Sequence, residues 1–155
     1  MNKRASLPLA NVVSPVIEHS GILVALKKSV QPRPALIPTR SCSAHRHGGC
    51  LRRTPKLLEN GDGIGFGKLM NESQEISRQN FENSTPELDL LVSIAQNLPG
   101  VLGARLTSGG FGGATVTLCE RLCAKRIAAE LSRRYADATG IAPRVFVSQI
   151  ADGAK

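Results

Sequence analysis

Apolar and polar positions follow recognisable periods mainly in the second part of the chain. Phe66, Leu69, Met70, Ser73, Ile76, Ser77 and then Asn80 or Phe81 recur at helical spacing, which predicts a helix from Gly65 to about Phe81 with one apolar stripe. Glu82 to Thr85 interrupts it, and Ser84-Thr85-Pro86-Glu87 opens the next helix. Either Ser84 and Glu87 form a capping box, or Thr85 caps with Pro86 in the first helical position. Leu88, Leu91, Val92, Ala95 and Leu98 then face one way until Pro99-Gly100.

Two β-rich runs follow, Ala104 to Thr107 and Ala114 to Cys119, joined by Ser108-Gly109-Gly110-Phe111-Gly112-Gly113. Glycine lets a main chain or a phosphate approach closely, so this loop reads either as a border of an anion or nucleotide site or as a plain Gly-rich hairpin. A third helix is predicted from about Arg121 to Ala138. Leu122, Ile127, Ala128, Leu131 and Tyr135 form its buried face, and Arg121, Lys125, Arg126, Arg133 and Arg134 its solvated one. Gly140 stops it, and Arg144 to Ile150 reads as a strand. The order from residue 65 is helix, helix, strand, strand, helix, strand. That is an α+β, ferredoxin-like sandwich of helices on an antiparallel sheet, with three strands where four are usual and therefore an unpaired edge.

Composition divides the chain at about the same place. Residues 1–60 hold ten of the 20 Lys and Arg but only Glu18 and Glu59 as acids, whereas residues 61–155 balance ten against ten, so the formal net charge of +8 belongs to the first segment. Six of the nine prolines also lie there, and all five aromatics lie beyond it. We therefore expect residues 1–57 to be a disordered basic leader and residues 58–155 to be the folded domain. The proline spacing argues against an amphipathic transit peptide. Phosphate contact by the leader's Lys and Arg would give weak, salt-sensitive binding without aromatic stacking, so no specific nucleic-acid partner is expected. No apolar run approaches the ~20 residues of a membrane helix, and no membrane partner is expected.

Four cysteines without a secretion signal point to reduced thiols and a cytoplasmic location. Cys119 and Cys123 read as small buried hydrophobes. Cys42, His45, His47 and Cys50 have ligand-type side chains, but structural zinc sites join two ligand pairs across about a dozen residues, and here one residue separates the halves, so no metal site is expected. Residues 61–67, GDGIGFG, imitate a phosphate loop, yet Pro55 to Asn60 is a poor strand and a dinucleotide or P-loop needs one before it.

FGKLMNES (66–73), STPELDLLV (84–92), GVLGARLTSGGFGGATVTL (100–118) and RVFVSQIADGA (144–154) together resemble the C-terminal region of the galactokinase family of GHMP small-molecule kinases. The likeness runs from about Leu58 to the end. It implies an enzyme that moves the γ-phosphoryl of ATP, with magnesium, onto the anomeric hydroxyl of galactose. Thr107, Ser108, Gly109, Gly110, Phe111, Gly112 and Gly113 would form the glycine motif beside the nucleotide-phosphate loop, acting through backbone close approach. Gln74 stands where the family commonly has His, and Ser108 where Gly is usual. The family's ATP loop, metal carboxylate and sugar motif have no counterpart here, and Glu18-His19 is a bare dipeptide. The resemblance thus implies a C-terminal fragment of a galactokinase with no catalytic residues of its own, no tight ATP or magnesium binding, and possible association with a missing N-terminal half. The alternative is a non-catalytic ferredoxin-like binding module.

Overall fold

The computed structural model describes residues 20–26, 41–107, 109–110 and 113–149. The chain runs β1 (Ser20–Leu26), α1 (Ser41–Glu59), α2 (Gly63–Ile76), a π-helical turn (Ser77–Phe81), α3 (Pro86–Gln96), β2 (Val101–Thr107), β3 (Ala114–Glu120), a 3-10 turn (Arg121–Cys123), α4 (Ala124–Thr139) and β4 (Arg144–Gln149). The strands form one antiparallel sheet in the order β2-β3-β1-β4. This is the β-α-β-β-α-β order of a ferredoxin-like domain, with extra helices between the first two strands.

The fourth strand corrects the expectation of a three-stranded sheet. Ser20–Leu26 lies at its centre, with Val24 opposite Val116 on one side and Phe146 on the other. Gly21 to Leu26 (GILVAL) is a short continuous apolar run with no alternation for a period search to find, and such a run cannot be told from other buried segments by periodicity alone. Within the expected leader, residues 41–57 also belong to α1, which runs through Pro55. Residues 1–19 and 27–40 of that leader lie outside the described residues.

The core lies between α3, α4 and one sheet face. Ala104 pairs with Thr117 and Leu106 with Thr115, so these four share a face. Leu91, Val92, Ala95 and Leu98 pack there with Ile127, Leu131 and Tyr135, around Ala104 and Cys119. Each large side chain fully withdrawn from water contributes about 1.5–3 kcal/mol. Leu122 departs from the expected buried face and is 96% exposed. The helix proper begins only at Ala124, and the preceding 3-10 turn has a tighter pitch that takes Leu122 out of the helical stripe. At α3 the cap is Thr85, whose Oγ1 accepts from the Leu88 N–H, with Pro86 next. Ser84 turns its hydroxyl to Asp89 instead.

A second cluster of Cys50, Leu69 and Ile76, with Leu57 and Phe81 against it, joins α1 to α2. Helix α2 in turn runs along β2, the sheet edge among the described strands. Gly67 and Gly103 let the two backbones touch: a Cβ built on Gly67 would stand 2.1 Å from the Leu102 carbonyl oxygen. Beside this contact, Asn71 Oδ1 accepts from the Ala104 N–H at 2.9 Å and Gln74 Oε1 from the Leu106 N–H at 2.7 Å. The outward N–H groups of an edge strand, which otherwise invite another strand, are thereby occupied by helix side chains.

Candidate functional site

The glycine hairpin stands at the end of β2 and β3. Thr107 closes β2, Gly113 precedes β3, and Gly109 and Gly110 lie at the tip, while Ser108, Phe111 and Gly112 lie outside the described residues. Gly110 has φ +81°, a left-handed conformation that side chains strain to adopt. Its Cα also rests on the chain between the π-helical turn and α3: a Cβ there would be 2.1 Å from the Asn83 carbonyl oxygen. Asn83 Nδ2 donates to the Gly109 carbonyl at 3.4 Å, a long bond, and the Gly113 N–H donates to the Gly110 carbonyl at 3.3 Å. A Cβ on Gly109, by contrast, meets nothing within 4 Å among the described residues. Among those residues the tip is supported from one side and open on the other.

The support is a polar network rooted in α2 and α3. Gln74 is 5% exposed and donates from Nε2 to Asp89 Oδ1 at 3.0 Å and to Ser84 Oγ at 3.4 Å, while its Oε1 takes the Leu106 N–H. Ser84 Oγ donates to the same Asp89 oxygen at 2.7 Å. Gln96 Nε2 reaches Asn71 Oδ1 and the Ala104 carbonyl. Gln74 and Ser84 both donate and accept, Asp89 accepts from both, and Asn71 and Gln96 hold Ala104 from either side, so the strand leading to the hairpin is tied to two helices. Asn83 itself is set by an unusual exit: the π-helical turn ends at Glu82 with φ +51°, and the Asn83 N–H returns to the Ser77 carbonyl. Asn83 Oδ1 is buried and has no hydrogen-bond partner among the described residues. The hydropathy pattern missed Asn71 and Asn83. Asn71, one residue from Met70 in a helix that otherwise buries apolar groups, is the signal available in hindsight.

Outside the hairpin, burial pushes the Cys50 thiol up, reinforced by the Glu72 carboxylate. Burial lowers the Arg105 guanidinium from its ordinary value. Of Cys42, His45, His47 and Cys50, only the Cys50 side chain is among those described, and it packs in the α1–α2 cluster. Cys119 is buried in the core as read, and Cys123 is partly buried against it. Among the described residues no three His, Cys, Asp or Glu groups converge as metal ligands. A groove of about 380 Å³ between the end of α3 and α4 is lined by Leu98, Arg126, Glu130, Arg133 and Arg134 among others. Its guanidiniums are already engaged: Arg126 with the Pro99 carbonyl, Arg133 and Arg134 with Glu130. No described helix is long and apolar enough to cross a membrane.

Residues 56–137 match the family model of the GHMP kinase C-terminal domain. Among curated relatives, a galactokinase of Roseiflexus sp. is 45% identical over 96 residues, covering 62% of this chain and 25% of that protein. The Bos taurus galactokinase is 42% identical over 124 residues, 77% of this chain and 31% of that one, and the Homo sapiens galactokinase is 44% identical over 110 residues, 69% and 27%. The chain thus spans about a quarter to a third of the length of these relatives. Among solved structures, Lactococcus lactis galactokinase complexed with galactose superposes with a TM-score of 0.68 at 20% identity, covering 88% of this chain and 47% of that one. The L. major mevalonate kinase in complex with R-mevalonate superposes at 0.66 and 18% identity, covering 90% and 46%. At such identities these two speak for the fold alone.

Proposed function

The chain belongs to the GHMP kinases through their C-terminal domain, and from that premise we propose that it is the glycine-hairpin side of a galactokinase. The reaction is transfer of the ATP γ-phosphoryl to the anomeric hydroxyl of galactose, in the cytoplasm. Thr107, Ser108, Gly109, Gly110, Phe111, Gly112 and Gly113 border the nucleotide phosphates in this reading and present backbone N–H groups without intervening side chains. One observation carries it: identity of 42–45% to galactokinases in the three relatives described, within the family whose domain holds the hairpin.

Phosphoryl transfer is catalysed chiefly by positioning and by neutralising charge on the transferring group. Bound ATP supplies the phosphoryl group, and magnesium supplies the neutralising charge. The hairpin fits the first of these, because among the described residues nothing stands within 4 Å of a Cβ on Gly109 and Gly110 needs no side chain. Among the described residues no three acidic, His or Cys groups meet. In this reading the phosphate-gripping loop, the metal carboxylate and the sugar contacts come from a part of the polypeptide other than the described residues. Each transition-state contact of this kind is worth about 10²–10³ in rate.

The test is to incubate the purified chain with galactose, ATP and magnesium, alone and co-expressed with the portion of a matched galactokinase that it does not cover. Sugar 1-phosphate should form only in the second case. Product from the chain alone, or none from the pair, would contradict the proposal. The central position of Ser20–Leu26 favours a second reading, a self-contained ferredoxin-like binding module without chemistry. A chain that unfolds cooperatively as a monomer and never complements would support it.

A further inference from the structure

We propose that Asn83 is a positioning residue that fixes which way the Gly109–Gly110 peptide faces, and thereby aims the Gly110 N–H at an anion. The peptide is trans, and in a planar trans peptide the carbonyl and the following N–H point in opposite directions. Asn83 Nδ2 holds the Gly109 carbonyl toward the α2–α3 junction. The Gly110 N–H is therefore turned away from that junction, and no described residue lies within 4 Å of a Cβ on the neighbouring Gly109. Between two glycines a peptide flip meets little steric resistance, so an external bond has to choose the orientation. The ligand class, the polyphosphate of a nucleotide, rests on the galactokinase reading; the orientation of the peptide does not.

Three features place Asn83 for this task. The π-helical turn and the left-handed Glu82 bring the chain out of α2 at an angle that a regular helix end would not give. The Asn83 N–H is bonded back to Ser77, which restricts its backbone. Its carbonyl oxygen sits where a Cβ of residue 110 would be, so only glycine lets the tip seat on it. Main chain and side chain of one residue thus contact consecutive glycines.

The experiment compares Asn83→Asp, which keeps the shape but removes the donor and sets a charged oxygen against the Gly109 carbonyl, with Asn83→His, whose Nδ1–H restores a donor at similar reach. Amide hydrogen exchange is read at Gly113, the tip amide that donates to the Gly110 carbonyl, and, as an internal control, at Thr115, Thr117 and Cys119 in the core strand. Asn83→Asp should speed exchange at Gly113, whose N–H donates to the Gly110 carbonyl, about fivefold to tenfold, the factor that one ordinary hydrogen bond carries, and leave the strand amides unchanged. Asn83→His should restore the original rates. In the complemented kinase the KM for ATP should rise and the KM for galactose should not. Unchanged exchange at Gly113, or equal acceleration in β3, overturns the proposal. So does an active complemented Asn83→Asp enzyme whose KM for ATP is unaltered. If the unsubstituted pair gives no kinase, the galactokinase reading falls while exchange at Gly113 still decides the role of Asn83.

Discussion

Gly67 offers the sharpest test of how α2 is held, because two lines of reasoning predict opposite signs. It lies in a helix interior, where replacing Gly by Ala ordinarily stabilises by about 1 kcal/mol. Packing predicts the reverse. The added Cβ would be 2.1 Å from the Leu102 oxygen and 2.4 Å from its carbon, both backbone atoms of a paired strand. Ordinary contact is about 3.5 Å, so helix and strand must part by roughly 1 Å. The Asn71–Ala104 and Gln74–Leu106 bonds, at 2.9 and 2.7 Å, would then stretch beyond useful length. Overpacking costs about 1–3 kcal/mol and each lost bond about 1 kcal/mol, so the net after helix propensity is a loss of about 3 kcal/mol. At a urea slope of about 1.5 kcal/mol/M that lowers the midpoint by roughly 2 M. Far-UV circular dichroism is the suitable probe, since the chain has no tryptophan. Gly49→Ala is the control, because Gly49 is helical and exposed and its Cβ would meet nothing within 4 Å, so its midpoint should rise. A Gly67→Ala midpoint at or above that of the parent would refute the close-approach argument.

Leu131→Ala, which empties a fully buried site, should cost about 2–5 kcal/mol in the same urea titration. Gln74→Leu leaves the Leu106 N–H and Asp89 without their amide partner, and a loss of about 2–4 kcal/mol is expected from the orphaned groups; a loss below 1 kcal/mol would show that water replaces the amide. Glu130 is held at about 2, first by the hydrogen bond from Arg133 and then by that from Arg134. Its folded value lies below its ordinary 4.5, so its contribution to stability is present above that pH and fades as the pH falls toward 2. Carboxyl NMR titration should locate the midpoint near 2 in the parent and move it upward in Arg133→Ala.

Elements with a strong period were legible in the sequence, and those whose pattern is set by neighbours were not. The stripe Leu88, Leu91, Val92, Ala95 identified α3 because a helix with one wet face needs that spacing, and Thr85-Pro86 marked its start. β1 was illegible for the opposite reason, since GILVAL is a short continuous apolar run that carries neither period. α1 was hidden by Pro55 and by Gly48-Gly49, which lower local propensity but yield to packing on α2. The glycines of the hairpin announced a loop of backbone, while nothing local could show that its support comes from residue 83, twenty-six positions earlier. That pairing exists only once α3 has reversed the chain and brought β2 back alongside α2.

The arrangement also explains why buried polar residues sit in α2 at all. An apolar helix laid along an edge strand would leave the Ala104 and Leu106 N–H groups without partners, a cost of about 1–3 kcal/mol each. Asn71 and Gln74 lie three residues apart on one face of the helix, and their oxygens meet the successive outward N–H groups of Ala104 and Leu106. The helix can come close enough only because position 67 is glycine facing a glycine at 103. The base of the hairpin is thereby fixed immediately before Thr107, and Asn83 fixes its tip. A loop built from backbone has no side chains to define its shape, so its geometry has to be imposed by the elements around it. Here that duty falls on two helix amides at the base and one junction residue at the tip.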